Sequence, residues 1–181
     1  MDNINTEQYA FSAFDPKNLA AFDGIPLSPG NYIIVLKNNC KLPDIGIEPV
    51  YKTFNGYNVV YTGLSSSAKN GRLKNRLNCH FIGNNAGRST LRKSIGCLFG
   101  YELIPRDSKP NGKTKFSDTD EEMLSEWMCE NLLVFYCVTK EYENMEDYLI
   151  TKYNPPINIE KTDGIIENHK FREKLKSLRR G

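Results

Sequence analysis

Apolar residues fall into two rhythms along the chain. Asn31 to Lys37 (NYIIVLK) and Asn58 to Thr62 (NVVYT) are β-branched and aromatic runs, and both predict strands. Asn55-Gly56 sets a turn ahead of the second. A loop carrying Asn38-Asn39, Pro43-Asp44 and Gly46 follows the first, so the two predict an antiparallel pair with a long connection. Leu132 to Thr139 (LLVFYCVT) predicts a third strand, fully buried because its apolar run is unbroken.

Between and after these strands the period lengthens to that of a helix. From Arg72 to Phe81, Leu73, Leu77 and Phe81 recur four apart, and Arg72, Arg76 and His80 line the adjacent stripe. Ser89 to Leu98 predicts a second basic helix, weakened by Gly96. Ser117, with Asp120 and Glu121 behind it, predicts a capped helix start, and Met123, Leu124, Trp127 and Met128 supply its apolar face. Asn144 to Tyr153 predicts another helix, closed by Pro155-Pro156, and Lys170 to Arg180 a basic terminal one. Residues 1–29 read as a polar, turn-rich lead-in with one short helix. The stretches 63–71 and 108–115 read as loops. No repeat or low-complexity segment is present.

Composition narrows the class without naming it. A chain of 181 residues, 39% hydrophobic and 25% charged, fits one soluble globular domain and argues against disorder, collagen or coiled coil. The longest apolar run, Leu132 to Val138, is seven residues, far short of the ~20 that span a bilayer. No secretory signal is expected from the Met1–Asn5 start. Five cysteines without a C-x-x-C spacing fit reduced thiols in a cytoplasm, with Cys79 and Cys97 as small apolar residues, and two histidines exclude a histidine-rich metal site. Charge is informative in its distribution. Pro49 to Tyr101 holds eight Lys or Arg and no acid; Asp118 to Asp147 holds ten acids and one base; Lys170 to Gly181 holds six bases and one acid. Such segregation suggests a basic face for a polyanion.

Taken singly, the chemistry-bearing residues have ordinary explanations. Tyr32 and Tyr61 on apolar strands read as core, Arg76 as a solvated helix charge, His80 as a half-buried histidine, Glu146 as one acid among many and Trp127 as core. Their order says more. Gly30-Asn31-Tyr32 opens one strand, Tyr61-Thr62-Gly63 closes the next, and Arg76 follows on a helix. Glu146-Asp147-Tyr148-Leu149-Ile150 follows the third strand, and Tyr153-Asn154-Pro155-Pro156-Ile157-Asn158 comes last. Over residues 30–158 this series resembles the GIY-YIG nuclease superfamily. His80, one turn after Arg76, is similar to the restriction-endonuclease branch in particular. Asn31 and Thr62 depart from the isoleucines that name the motif, and both would point to the strand face opposite the tyrosines. The long Tyr32–Tyr61 separation and the insertions at 65–71 and 82–131 are further departures.

The resemblance implies an α/β fold with a small, largely antiparallel three-stranded sheet flanked by helices, and the 82–131 insertion packed alongside. It implies a metal-dependent DNA endonuclease leaving 5′-phosphate and 3′-hydroxyl ends, in restriction, phage defence, repair or mobile-element cutting. Arg76 would hold the scissile phosphate with a fork of donors that never deprotonates. Glu146 would be the sole carboxylate on one Mg²⁺ or Mn²⁺ ion, and His80 would take or share the Tyr32 proton. Tyr61 would orient water or phosphate, and Asn158 would position Glu146 or the edge of the third strand. Which tyrosine is the base stays open. Arg72, Lys74, Arg88, Arg92 and Lys93 would contact phosphates flanking the cut. With no second DNA-binding domain recognisable, cutting both strands would most simply use a homodimer or two encounters. An idle nucleic-acid-binding module on the same scaffold, and a protein-interaction domain whose basic and acidic stretches pair, are the alternatives.

Overall fold

Seven strands and five α-helices are built from these runs in the computed structural model, which describes residues 9–68, 72–108, 112–162 and 164–180. Residues 1–8 of the lead-in, 69–71 and 109–111 of the two expected loops, and residues 163 and 181 lie outside the described residues.

Strand β1 is Ser12–Phe14, β2 Gly30–Leu36, β3 Thr53–Phe54 and β4 Tyr57–Ser65, followed by helix α1, Leu73–Phe81, and helix α2, Thr90–Leu98. Then come β5 (Ile104–Pro105), β6 (Thr114–Lys115), α3 (Asp118–Asn131), β7 (Leu132–Val138), α4 (Tyr142–Tyr153) and α5 (His169–Leu178). The main sheet runs β1-β7-β2-β4-β3, antiparallel at every pair. Its middle is the expected trio β7-β2-β4, but the sheet has five strands where three were expected. The two additions are edge strands of three and two residues, too short for an alternation to register in the sequence. Thr53-Phe54 is the first arm of a hairpin, and Asn55-Gly56 is its two-residue turn, with φ of 49° and 83° as that tight turn demands.

Every residue of β2 is buried because helices cover both faces of the sheet. Tyr32, Ile34 and Leu36 point into the larger core with residues of α1, α2, α3 and α5, among them Leu77, Ile95, Leu124 and Phe171. Ile33 and Val35 point to the other face, against Met145, Leu149 and Tyr153 of α4. That double cover is why the strands read as continuous apolar runs rather than alternations.

Gly96 does not weaken α2, which is unbroken from Thr90 to Leu98. A Cβ there would collide with the Phe116 ring, so the glycine serves close packing. The expected 108–115 loop carries β6, which pairs with β5.

Arg92 is the main correction. It was expected on a phosphate, yet its side chain is 0% exposed and paired with Glu121, itself 1% exposed. Arg92 Nε and Nη2 donate to Glu121 Oε2 at 3.0 and 2.7 Å, Nη2 also to the Glu121 carbonyl at 2.8 Å, and Nη1 to the His80 carbonyl at 3.1 Å and Ser125 Oγ at 2.8 Å. Glu121 Oε1 accepts from the Ala86 and Phe116 amides at 2.6 and 3.3 Å. A charge taken out of water needs such a partner set, and removing one member strands the other. Arg92→Ala is therefore expected to cost about 3–5 kcal/mol and to lower the melting temperature by roughly 10 °C. Thermal denaturation checks this. Replacing both partners by apolar residues (R92M with E121L) should cost less than the single change.

Candidate active site

Two strands and their register place the first residues. Across the β2–β4 ladder Tyr32 faces Gly63 and Ile34 faces Tyr61, so both tyrosines lie on the large-core face with ring centroids 6.3 Å apart. The glycines of the two tripeptides are there for space. A Cβ on Gly63 would collide with the hydroxyl of Tyr32, and one on Gly30 would collide with the carbonyl of Cys137 on β7 and lie 2.9 Å from a Leu73 methyl. Tyr32 can thus lie across β4 only because nothing projects from the residue opposite. Beyond Tyr61 the ladder slips, with Ile34 facing Tyr61 but Val35 facing Val59, which leaves Val60 as the extra residue of a bulge beside the site.

Helix α1 supplies Arg76 and His80, one turn apart on its sheet-facing side. His80 is fully buried, with Nε2 2.8 Å from the Tyr32 hydroxyl and Nδ1 2.7 Å from Ser89 Oγ. Ser89 also caps α2 by accepting the Arg92 amide at 3.1 Å. Arg76 Nε donates to the Tyr32 hydroxyl at 3.4 Å and its Nη1 to the Arg88 carbonyl at 3.2 Å. The two ring bonds permit two tautomers of a neutral imidazole. In one, Tyr32 donates to Nε2 while Nδ1–H donates to Ser89; in the other both directions reverse.

Glu146 comes from α4 and Asn158 from the segment after it. That segment turns at Asn154, whose φ is 43°, and Arg172 of α5 holds it there by donating to the Asn154 side-chain oxygen and, at 3.0 Å, to the Pro155 carbonyl. Residues 157–158 then substitute for a strand along β4 where β3 has ended. Ile157 donates its amide to the Val60 carbonyl at 3.1 Å, and the Asn158 amide group accepts from Thr62 N and donates to Thr62 O, both at 2.9 Å. The edge that Asn158 holds is that of β4, not that of β7, the third strand of the expectation, and its side-chain bonds go to Thr62 rather than to Glu146.

A cavity of about 470 Å³ gathers Tyr32, Tyr61, Arg76, Glu146 and Asn158 in its wall, with His80 behind Tyr32. Lys161, which sequence reasoning did not single out, closes one side. Its Nζ lies 2.7 Å from both Glu146 Oε2 and Asp147 Oδ1. Ser89 was also missed, since it read only as a helix start. Of the expected phosphate contacts, Arg88 is exposed and Arg72 and Lys93 are half-buried, while Lys74 pairs at 3.2 Å with the exposed Asp23, a weak surface pair.

Burial sets the protonation states. It pushes the Tyr32 phenol up, against the pull of Arg76, and pushes the Tyr61 phenol up as well. Burial also holds the His80 imidazole well below its usual value, with the positive charges of Arg76 and Arg92 acting the same way. At neutral pH the site thus holds two phenols, a neutral imidazole and a guanidinium.

The family model for the GIY-YIG catalytic domain matches residues 30–181, and the chain belongs to that family of nucleases. Neither a curated protein nor a solved structure matches it.

Two outcomes follow from this geometry. Gly63→Ala should fold, because a strand accepts alanine, yet displace the Tyr32 hydroxyl and lower nuclease turnover by about 100-fold; an unchanged rate would separate the Tyr32–His80 contact from activity. The second concerns acid. Unfolded chain protonates His80 near its ordinary value while folded chain resists, so the unfolded state binds more protons. The contribution of His80 to stability is then complete above about pH 6.5 and is lost as pH falls below it. Denaturant titrations from pH 7.5 to 5.5 should show wild type losing more stability than His80→Gln, and parallel losses would contradict the assignment.

Proposed function

We propose that the chain is a DNA endonuclease dependent on one divalent cation, with residues 1–181 acting as a single catalytic domain and leaving 5′-phosphate and 3′-hydroxyl ends. The convergence of Tyr32, Tyr61, Arg76 and Glu146 from four different elements on one cavity carries the reading. A core built only for stability has no use for a guanidinium against a buried phenol.

The implied cation, Mg²⁺ or Mn²⁺, fits the donors present. Glu146 offers a hard carboxylate at the cavity wall, with 16% of its side chain exposed. Among the described residues no three His, Cys, Asp or Glu side chains cluster, so Glu146 would hold the ion together with water and the substrate phosphate, as Mg²⁺ allows. When bound, the cation supplies Lewis-acid stabilisation of charge on the phosphate and on the leaving oxygen.

The remaining steps belong to this chain's side chains. Arg76, anchored through Nε and Nη1, offers its remaining donors to a phosphate in the cavity. Tyr32 accepts a proton from the attacking water while passing its own to His80 Nε2, in the tautomer whose Nδ1–H rests on Ser89. A raised phenol and a lowered imidazole oppose a stable phenolate–imidazolium pair, so the proton moves as attack proceeds rather than before it. Tyr61 orients the water or the phosphate.

The position of His80 one turn after Arg76 favours the restriction branch and a role in phage defence, where two copies or two encounters cut both strands. The five cysteines are all free, which suits a cytoplasmic setting. No helix among the described residues is long and apolar enough to cross a membrane.

Supercoiled plasmid incubated with Mg²⁺ or Mn²⁺ tests the proposal. Nicking or linearisation is expected with wild type, and Glu146→Ala should bind DNA normally while its nicking falls roughly 10²–10³-fold. Wild type that binds plasmid, single-stranded and branched DNA without cutting any of them would make the chain a binding module.

A further inference from the structure

A second, smaller cavity of about 290 Å³ adjoins the catalytic one, and Thr90 at the start of α2 stands in the wall of both. Four basic residues line it from separate parts of the chain: Arg88 ahead of α2, Lys93 in its first turn, Lys113 beside β6 and Arg179 at the end of α5. Among the described residues no acid lines it, and Arg88, Lys93 and Arg179 form no ion pair with any of them.

Gathering Arg88, Lys93 and Arg179 in a partly enclosed space with no acid in its wall favours an anion that joins them. Burial pushes the Lys93 ammonium down, and the neighbouring Arg179 pushes it further. Ser89 and Thr90, at the start of α2 where its dipole is positive, form part of the wall. Arg76 of the catalytic cavity bonds to the carbonyl of Arg88 in this one, so the two anion-binding regions share one piece of backbone.

We propose that this cavity binds a backbone phosphate of the DNA strand being cut, next along from the phosphate held at Arg76. The proposal rests on the nuclease reading and deepens it, adding a fixed phosphate grip and two residues, Lys113 and Arg179, to the surface contacts expected from α2. The grip fixes the strand in register with Tyr32 without reading a base. It also gives the basic terminal helix and the 82–131 insertion a common purpose, because each contributes part of one site.

Fluorescence anisotropy of the full chain with a labelled DNA duplex, in EDTA to prevent cleavage and across a series of salt concentrations, tests it. Removing one cation from a phosphate should make the plot of log affinity against log salt less steep by about one unit. Lys93→Gln with Arg179→Gln should therefore reduce the slope by about two and weaken binding at least tenfold near 100 mM salt, with Lys113→Gln as an exposed single change that reduces it by about one. Melting temperatures read alongside separate misfolding from a weakened grip on the phosphate. Lys170→Gln with Lys174→Gln, an equal charge loss elsewhere on α5, should leave the slope near that of wild type. An unchanged slope in folded pocket variants, or an equal fall in the Lys170/Lys174 control, would overturn the pocket and leave the nuclease reading standing. Wild type that fails to bind DNA at low salt would overturn both.

Discussion

A tyrosine can lie across the neighbouring strand of an antiparallel pair only where the residue opposite has no side chain. Gly63 meets that requirement for Tyr32, and the rest of the site is arranged around the hydroxyl it admits. The hydroxyl reaches 2.8 Å from His80 and 3.4 Å from Arg76, so one helix turn of α1 addresses one phenol with two groups of different chemistry. Gly30 lets β2 and β7 approach at the strand's opening. The two tripeptides are in this sense a packing statement first, since the chemistry of the tyrosine depends on the absence of two Cβ atoms.

From Tyr32 the dependence runs inward along a chain of polar groups. His80 rests on Ser89, Ser89 caps α2, and Arg92 in that helix holds the His80 carbonyl and pairs with Glu121 of α3. The 82–131 insertion is therefore not an appendage: it supplies Ser89 and the ion pair that lock the end of α1. Arg92 also adds positive charge near His80, which helps keep the imidazole neutral. A histidine that is neutral at rest can accept a proton, and one charged at rest cannot. A buried arginine paired with Glu121 thus helps to set the protonation state of the group hydrogen-bonded to Tyr32.

What the sequence made legible follows from the range of the interactions involved. β2, β4, β7, α1 and α4 have local periodicity long enough to read, and their order carried the family resemblance. Arg92 did not read correctly because nothing local separates it from Arg76: both sit on basic amphipathic helices. The difference is Glu121, 29 residues downstream, which folding brings to one arginine and not the other. β1 and β3 were too short to show a period, although Asn55-Gly56 was a sufficient hairpin signal had both flanks been read as strand. Ser89 read only as the first residue of a helix, and its bond to His80 reaches a helix nine residues earlier. Lys161 has no local signature, because its place opposite Glu146 is set by the turn at Asn154 and by Arg172.

Lys161 bears on how the site holds charge between turnovers. A carboxylate beside apolar neighbours needs a counter-charge, and Glu146 has one in a lysine that also grips Asp147. Lys161 itself adopts a φ of 57°, in the left-handed region that residues with side chains seldom enter. At rest the formal charges of Glu146, Asp147, Lys161 and Arg76 cancel, and burial keeps Tyr32, Tyr61 and His80 uncharged beside them, so the site meets its substrate with its charges already paired rather than left exposed in a half-buried cavity.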